Sequence, residues 1–165
     1  TNTLQEDVFV NAAMQRGIDC EPLALAAYEA VTGNLGGLTG FLSHTELMAG
    51  ASLDAHVGDF DTVVSLKCPK SATHLRYLRG GGMPSDYVPQ MLHELFVSGA
   101  ARYDFLSWDG RFPPELETFY VSVPRDESAV AEYGRKALAF LKEVDDELAA
   151  LTSMLKLKRG EEICA

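Results

Sequence analysis

The chain has 165 residues, of which 47% are hydrophobic and 23% are charged. A chain of this size and composition buries a sizeable core, so we expect one domain over residues 1–165 and exclude an intrinsically disordered protein. With 24 acidic and 14 basic residues, the formal net charge is −10. That charge excludes a protein that coats nucleic acid with its whole surface, so any contact with phosphates must come from a local basic region.

Cysteine usage and hydropathy indicate the compartment. The three cysteines, Cys20, Cys68 and Cys164, are far apart and form no C-x-x-C pair. An odd and dispersed set of cysteines argues against a disulfide framework or a thiolate zinc site and favours a reducing compartment. No apolar run approaches the roughly 18 residues of a membrane span, and no signal peptide opens the chain. We therefore predict a soluble, cytoplasmic protein with no membrane partner.

The first predicted element is a helix. Asp19 and Pro22 open a run rich in Ala and Leu, which predicts a helix that ends at Gly33. The glycine-rich segment 33–40 follows a helix rather than a strand and lacks the residue order of a phosphate-binding loop. It is therefore interpreted as a connector.

Four further segments are predicted to be strands. Residues 55–57 and 62–67 are rich in β-formers and are separated by a glycine and two aspartates, which predicts a hairpin. Residues 101–109 and 117–124 predict two more strands around a loop that contains two prolines.

Two helices are predicted in the second half. Residues 83–99 have an apolar face at helical spacing, with Ser85 or Asp86 as the predicted cap and Pro89 in the first turn. A helix of about 25 residues is predicted from Glu127. The resulting fold class is α/β or α+β, with a central sheet and helices on its faces.

The second hairpin strand places two polar side chains on one face. Side chains alternate along a strand, so Ser65 and Lys67 point the same way, and Asp54 can approach Lys67 across the hairpin. A carboxylate beside a lysine suits metal-assisted phosphodiester hydrolysis, because the carboxylate binds Mg²⁺ and the ammonium group offsets phosphate charge. Taken alone, the pair is more often a surface ion pair.

A basic stretch follows the same strand. Between residues 67 and 85 there are four basic residues and no carboxylate, which reverses the charge of the chain as a whole. The stretch is predicted to contact DNA phosphates, and the glycines at 80–82 would let the backbone approach a ligand. A solvated loop with chance clustering of charge is the alternative. The basic residues are Lys67, Lys70, Arg76 and Arg79.

Four sequence blocks occur in order over about residues 11–150: GASLDAHVG, VVSLKCPKSATHLRYLRGG, YVPQMLHELFVSG and YDFLSWDGRFPPELETFYVSVPRDE. Together they resemble the lambda exonuclease family, also called the YqaJ viral recombinase family, within the PD-(D/E)XK nucleases. The resemblance implies a restriction-endonuclease-like core with a central mixed β-sheet flanked by helices. It also implies Mg²⁺-dependent (or Mn²⁺-dependent) 5′→3′ hydrolysis of one strand at double-stranded DNA ends. The further implications are a homotrimer, a single-strand annealing recombinase as partner, and a phage or prophage protein in the bacterial cytoplasm.

The resemblance also implies roles for individual residues. It matches Asp54 to a metal-binding aspartate, Lys67 to the active-site lysine and Gln90 to the glutamine of a Y-x-x-Q helix. Glu21 and His44 match positions near the metal, and the backbone carbonyl of Leu66 matches a further metal ligand. From the residues alone, Glu21 suits a helix start, His44 suits a turn or packing role, and Gln90 suits an exposed helix surface.

One departure from the family pattern bears on activity. Ser65 occupies the position of the family's metal-binding glutamate, and a neutral hydroxyl is a poor ligand for Mg²⁺. Asp61 shares its face but lies about 13 Å away along the strand, too far to take the same place. We therefore expect impaired cleavage. Either the site is degenerate and still binds DNA, or Asp54, His44, Glu21 and the Leu66 carbonyl hold the metal more weakly.

Two other kinds of function stay open. A module of the same fold could bind DNA ends or a recombinase without cleaving, and an acidic scaffold could bind a protein partner beside a fortuitous basic loop. The chain also begins at Thr1 without the block of Arg and Ser residues that grips a 5′ phosphate in the family. We expect that an N-terminal segment of the full-length protein precedes it.

Overall fold

A computed structural model describes residues 12–159. The helices are α1 (Ala12–Thr32), α2 (Ser71–Gly80), α3 (Val88–Ser98) and α4 (Glu127–Arg159), and a 3₁₀ turn spans Ser85–Tyr87. The strands are β1 (Phe41–Ser43), β2 (Gly50–Ser52), β3 (Ala55–Val57), β4 (Thr62–Lys67), β5 (Arg102–Trp108) and β6 (Thr118–Pro124). Cys164 lies outside the described residues, and none of the described helices is long and apolar enough to cross a membrane.

The central sheet is mixed, with the strand order β3-β4-β5-β6. The β3–β4 and β5–β6 pairs are antiparallel, and β4 runs parallel to β5 with Ser65 opposite Phe105. The predicted hairpin and the two later strands are thereby confirmed. Strands β1 and β2 form a separate antiparallel pair. A mixed sheet flanked by helices is the fold class that the sequence predicts.

Both faces of the sheet are covered, and the side chains of β4 alternate between them as predicted. Val63 belongs to the larger apolar cluster, which includes residues of α2, α3 and α4. Val64 and Leu66 belong to the second cluster, together with Tyr28 of α1. Because Ser65 alternates with Val64 and Leu66, its side chain points to the α3 side of the sheet.

Helix α1 is longer than predicted. It begins at Ala12 rather than near Asp19, and Pro22 lies inside it. A proline in a helix interior removes one backbone hydrogen bond and normally marks a helix start. For that reason the predicted helix begins several residues after the observed one. Burial of Ala24 and Tyr28 against the sheet stabilises the helix despite the proline. The predicted end is confirmed by Gly33, whose φ is +72°.

The basic stretch contains a helix that the sequence did not reveal. Helix α2 has little apolar character, and its buried side chains are His74 and Tyr77. The loop assumed by the alternative explanation of this stretch is therefore a helix over Ser71–Gly80. The predicted cap of α3 is wrong, because Tyr87 takes that position and no side chain caps the helix. Helix α4 has 33 residues, more than the predicted 25 or so.

Candidate active site

Asp54 and Lys67 meet at one end of the β3–β4 hairpin. The Asp54 Oδ2 atom lies 3.1 Å from Lys67 Nζ and accepts a 2.8 Å hydrogen bond from the backbone N–H of Leu66. The Ser65 hydroxyl donates a third, longer bond of 3.3 Å to the same oxygen. The structure thus brings together the aspartate, the lysine and the strand residues that the sequence groups into one site.

Strand register explains this proximity. Asp54 directly precedes β3, and Ala55 pairs with Val64, so continuation of the antiparallel register places Asp54 opposite Ser65. The hairpin turn between the strands includes Gly58 and Phe60, both with φ of +63°. Positive φ is uncommon for a side chain like that of Phe60, and its ring stacks on His56 with centroids 4.2 Å apart.

The pair is open enough to receive a ligand. The side chains of Lys67 and Asp54 are 20% and 27% exposed. All the hydrogen bonds found for Asp54 within residues 12–159 go to Oδ2, so none of these donors occupies Oδ1. The Lys67 ammonium nitrogen also lies 5.6 Å from the centre of the Tyr87 ring. A hard carboxylate oxygen beside an oriented ammonium group suits a divalent cation and a phosphate.

Ser65 is fully buried. Its neutral side chain contributes no charge, so the hairpin itself presents one carboxylate where the family pattern has two. Over residues 12–159, no three His, Cys, Asp or Glu side chains converge as a ready-made metal site.

The other predicted metal ligands have contacts of their own and join no such cluster among the described residues. His44 Nδ1 accepts backbone N–H bonds from Glu46 and Leu47 at 3.1 and 3.2 Å, and its ring stacks on Phe96. These contacts give His44 the turn and packing role. Glu21 shares with Leu66 the lining of a cavity of about 260 Å³. The metal-binding roles of Glu21, His44 and the Leu66 carbonyl stay predictions.

Gln90 contacts a residue that the sequence did not single out. Its side-chain amide donates a 2.6 Å hydrogen bond to Oε1 of Glu94, one turn further along α3. Glu94 is only 4% exposed. Burial raises the pKa of Glu94 above its ordinary value, while the Gln90 hydrogen bond and the charge of Lys67 oppose that rise. Glu94 could have been noticed in the sequence, because it is a charged residue between Met91 and Leu95 on the apolar face of a predicted helix.

The basic stretch is less uniformly positive than its composition predicts. Arg76 forms an exposed ion pair of 3.0 Å with Asp86, just beyond the stretch. Lys70 lies at the N-terminal end of α2 and Arg79 in its last turn. A side chain on Gly81 or Gly82 would meet no atom within 4 Å, so no close approach at these glycines is seen within residues 12–159.

A second polar cluster joins the end of β5 to the start of α2. Asp109 is fully buried and accepts two 2.7 Å hydrogen bonds from the guanidinium group of Arg111 and one of 2.8 Å from Ser71. Arg16 of α1 reaches both Asp109, at 3.5 Å, and the carbonyl of Pro69, at 3.2 Å. The cluster therefore fixes the segment that follows Lys67. Asp109 and Arg111 lie in the last matching block, and neither is among the predicted site residues.

Removal of the Asp109 charge has a predicted pH signature. Burial acts to raise the pKa of Asp109, but the hydrogen bonds from Arg111 and Ser71 outweigh it and hold that pKa well below its ordinary value. We expect Asp109→Asn to lower the free energy of unfolding by about 1 to 2 kcal/mol at pH 7, since Arg111 is half exposed. Because the pKa of Asp109 is lower in the folded protein than in the unfolded chain, where it is about 3.9, the ionised carboxylate stabilises the fold above that pH. The difference in unfolding free energy between wild type and variant should therefore shrink below about pH 4.

Urea unfolding of both proteins at pH 7 and near pH 2.5 measures this difference. Asp145→Asn, on the exposed surface of α4, is the control and should match the wild type at both pH values. A deficit of equal size at both pH values would contradict an electrostatic role for Asp109.

Comparison with known proteins shows the family of the chain. A family described as the YqaJ-like viral recombinase domain matches residues 1–101. Among curated proteins, no significant match was found.

Solved structures extend the match over nearly the whole chain. The alkaline exonuclease LHK-Exo from Laribacter hongkongensis is 34% identical, with a TM-score of 0.83 over 89% of this chain and 76% of that one. Its complex with dAMP is also 34% identical, with a TM-score of 0.81 over 93% and 76% of the two chains. A phage-related exonuclease from Haemophilus somnus 129PT, 14% identical with a TM-score of 0.62 over 87% and 75%, shares the fold. The chain belongs to the YqaJ-like viral recombinase domain family and has the fold of its alkaline exonucleases.

Proposed function

We propose that this protein is a divalent-metal-dependent exonuclease that hydrolyses one strand of double-stranded DNA from its ends in the 5′→3′ direction. The observation that supports it most directly is the contact between Asp54, Lys67 and the Leu66 backbone, in a chain 34% identical to an alkaline exonuclease. Paired charges of this kind are common on surfaces. By the resemblance of the sequence around Asp54 and Lys67 to the family pattern, we assign this pair to the nuclease site.

The residues present fit a divalent cation in part. Asp54 offers Oδ1, and the Leu66 carbonyl is the second predicted ligand; Mg²⁺ is commonly held by one or two carboxylates, with waters and substrate phosphates filling its shell. When bound, such a cation polarises a phosphodiester and lowers the pKa of a coordinated water. Lys67, held by Asp54 and beside Tyr87, is placed to donate hydrogen bonds to the phosphate or the attacking water and to offset developing charge.

The approach of DNA is assigned to the basic stretch. Lys70 and Arg79 remain available for phosphates, because no ion pair of either is found within residues 12–159, whereas Arg76 shares its charge with Asp86. The rest of the chain is strongly acidic. That distribution would repel DNA elsewhere and admit it on one side. It fits the implied homotrimer with an acidic exterior. From the resemblance to the family we also propose a single-strand annealing recombinase as partner, and a phage or prophage protein in a bacterial cytoplasm.

A duplex degradation assay tests the function. We expect a linear duplex with 5′ phosphates to be degraded in Mg²⁺ or Mn²⁺, a covalently closed circle to stay intact, and EDTA to stop the reaction. End labels on either strand report the direction. Degradation of the circle would contradict an exonuclease, and an intact linear duplex under all conditions would contradict a nuclease.

Ser65 favours one other function, a module that binds DNA ends or a recombinase without cleaving. The same linear duplex, followed by anisotropy, distinguishes the two. Binding that weakens with salt, without degradation in either metal, would favour the binding module. If the protein binds no DNA at low salt, both functions are wrong.

A further inference from the structure

The buried carboxylate of Glu94 has an oxygen without a partner. Gln90 donates to Oε1, but Oε2 has no partner at hydrogen-bond geometry among the described residues, and neither has the buried Tyr103 hydroxyl, although these two groups act on each other. Burying an unpaired charged oxygen is costly. Native proteins pair nearly all buried polar groups, so an exception calls for an explanation such as a role in binding or catalysis.

Glu94 faces the place that Ser65 leaves short of a carboxylate. Val63 and Tyr103 pair across β4 and β5, and both belong to the cluster that includes α3 residues on either side of Glu94. Ser65 lies on that same face. Burial raises the pKa of Tyr103, and Glu94 and Ser65 both act on its hydroxyl, which places the two side chains around one group.

Glu94 is also within electrostatic reach of the Asp54–Lys67 pair. The charges of both residues act on its carboxylate, with Lys67 favouring the ionised form and Asp54 opposing it. The carboxylate therefore lies on the side of β4 where the predicted metal ligand and the active-site lysine meet.

We propose that Glu94 supplies the second carboxylate of the metal site, in place of the one missing at Ser65; the inference rests on the proposed metal-dependent function. The small Ser65 side chain leaves room on the α3 side of the strand, and a glutamate from the facing helix replaces one from the strand. Gln90 acts as a positioning residue, because its bond to Oε1 leaves Oε2 for the cation. Two carboxylates with water and phosphate oxygens satisfy Mg²⁺.

Mn²⁺ titration calorimetry of the full chain tests this assignment. The titrations include a duplex with phosphorothioate linkages at its 5′ ends, which supplies phosphate ligands and resists hydrolysis. We expect Glu94→Gln to weaken Mn²⁺ binding at least tenfold, without lowering the melting temperature of the metal-free protein. Asp104→Asn, equally buried but facing α1, should leave the Mn²⁺ affinity within about threefold of wild type. These sizes follow from the 10- to 100-fold cost of losing groups that support a metal.

A charge-relocating variant separates a ligand from a structural residue. Ser65→Glu combined with Glu94→Ser returns the carboxylate to the strand and should restore Mn²⁺ affinity to within about threefold of wild type. Unchanged binding by Glu94→Gln would overturn the inference while leaving the nuclease proposal intact if linear DNA is still degraded. Absence of Mn²⁺ binding by the wild type would overturn the inference about Glu94 too. The proposed nuclease function would fail with it only if the linear duplex stayed intact.

Discussion

Replacement of Lys67 by alanine should reduce hydrolysis of a linear duplex at least about 100-fold, a typical loss when a group that handles protons or charge in the transition state is removed. The ammonium nitrogen Nζ of Lys67 lies 3.1 Å from the carboxylate oxygen Oδ2 of Asp54. Its loss removes the group that we propose orients water and offsets phosphate charge. Initial rates of nucleotide release under saturating Mg²⁺ or Mn²⁺ measure the effect.

The fold should tolerate this change. Both members of the pair are partly exposed, so loss of the ion pair should cost no more than about 1 kcal/mol of stability. Lys142→Ala is the matched control, because Lys142 forms an exposed ion pair with Asp146 on α4, and it should retain the wild-type rate. A folded Lys67→Ala protein that keeps more than a third of that rate would show that the active site lies elsewhere.

Replacement of Asp104 by alanine should destabilise the protein by about 3 kcal/mol, since it leaves buried hydroxyl groups without an acceptor. Asp104 is 1% exposed and accepts hydrogen bonds from Tyr28, at 2.7 Å, from Tyr120, at 3.1 Å, and from Ser122. Burial, followed by the neighbouring Asp104, raises the pKa of Tyr28, so its hydroxyl stays a donor at neutral pH. For a domain of this size the loss corresponds to about 6 to 12 °C in melting temperature, measurable by circular dichroism.

The same change should loosen α1, because the Tyr28 bond joins that helix to β5. Hydrogen exchange should therefore increase in α1 more than in α3. Asp145→Ala, on the exposed surface of α4, should shift the melting temperature by less than about 2 °C. A melting temperature equal to that of the wild type would show that the network contributes no net stability.

Local sequence patterns were sufficient for the hairpin and its charged pair. Alternation along β4 predicted that Ser65 and Lys67 share a face, and the short turn predicted that Asp54 reaches Lys67. Both depend on residues close in the chain, whose geometry follows from strand pleat and register. The sheet and the family were predictable because four sequence blocks in order are far more specific than one motif.

Two features of the helices were harder to predict. Helix α2 contains Leu75 and Leu78 among polar and basic residues, and its buried side chains, His74 and Tyr77, are covered by contacts made far away in the chain. The His74 ring bonds the Ser107 hydroxyl and the Leu116 carbonyl at 2.8 and 2.9 Å. These partners stabilise the helix through tertiary contacts rather than through helix propensity. The same reason applies to Pro22, which packing holds inside α1.

By itself the sequence determined the family, the mixed sheet and the Asp54–Lys67 pair, and it revealed that Ser65 lacks the expected carboxylate. Only the tertiary structure showed that the buried Glu94 lies on the Ser65 side of the sheet. In the sequence, Glu94 is marked only as a charge between Met91 and Leu95, and its burial depends on how α3 packs against β4 and β5. Such contacts join segments far apart in the chain, so no local period or motif reports which residues they bring together.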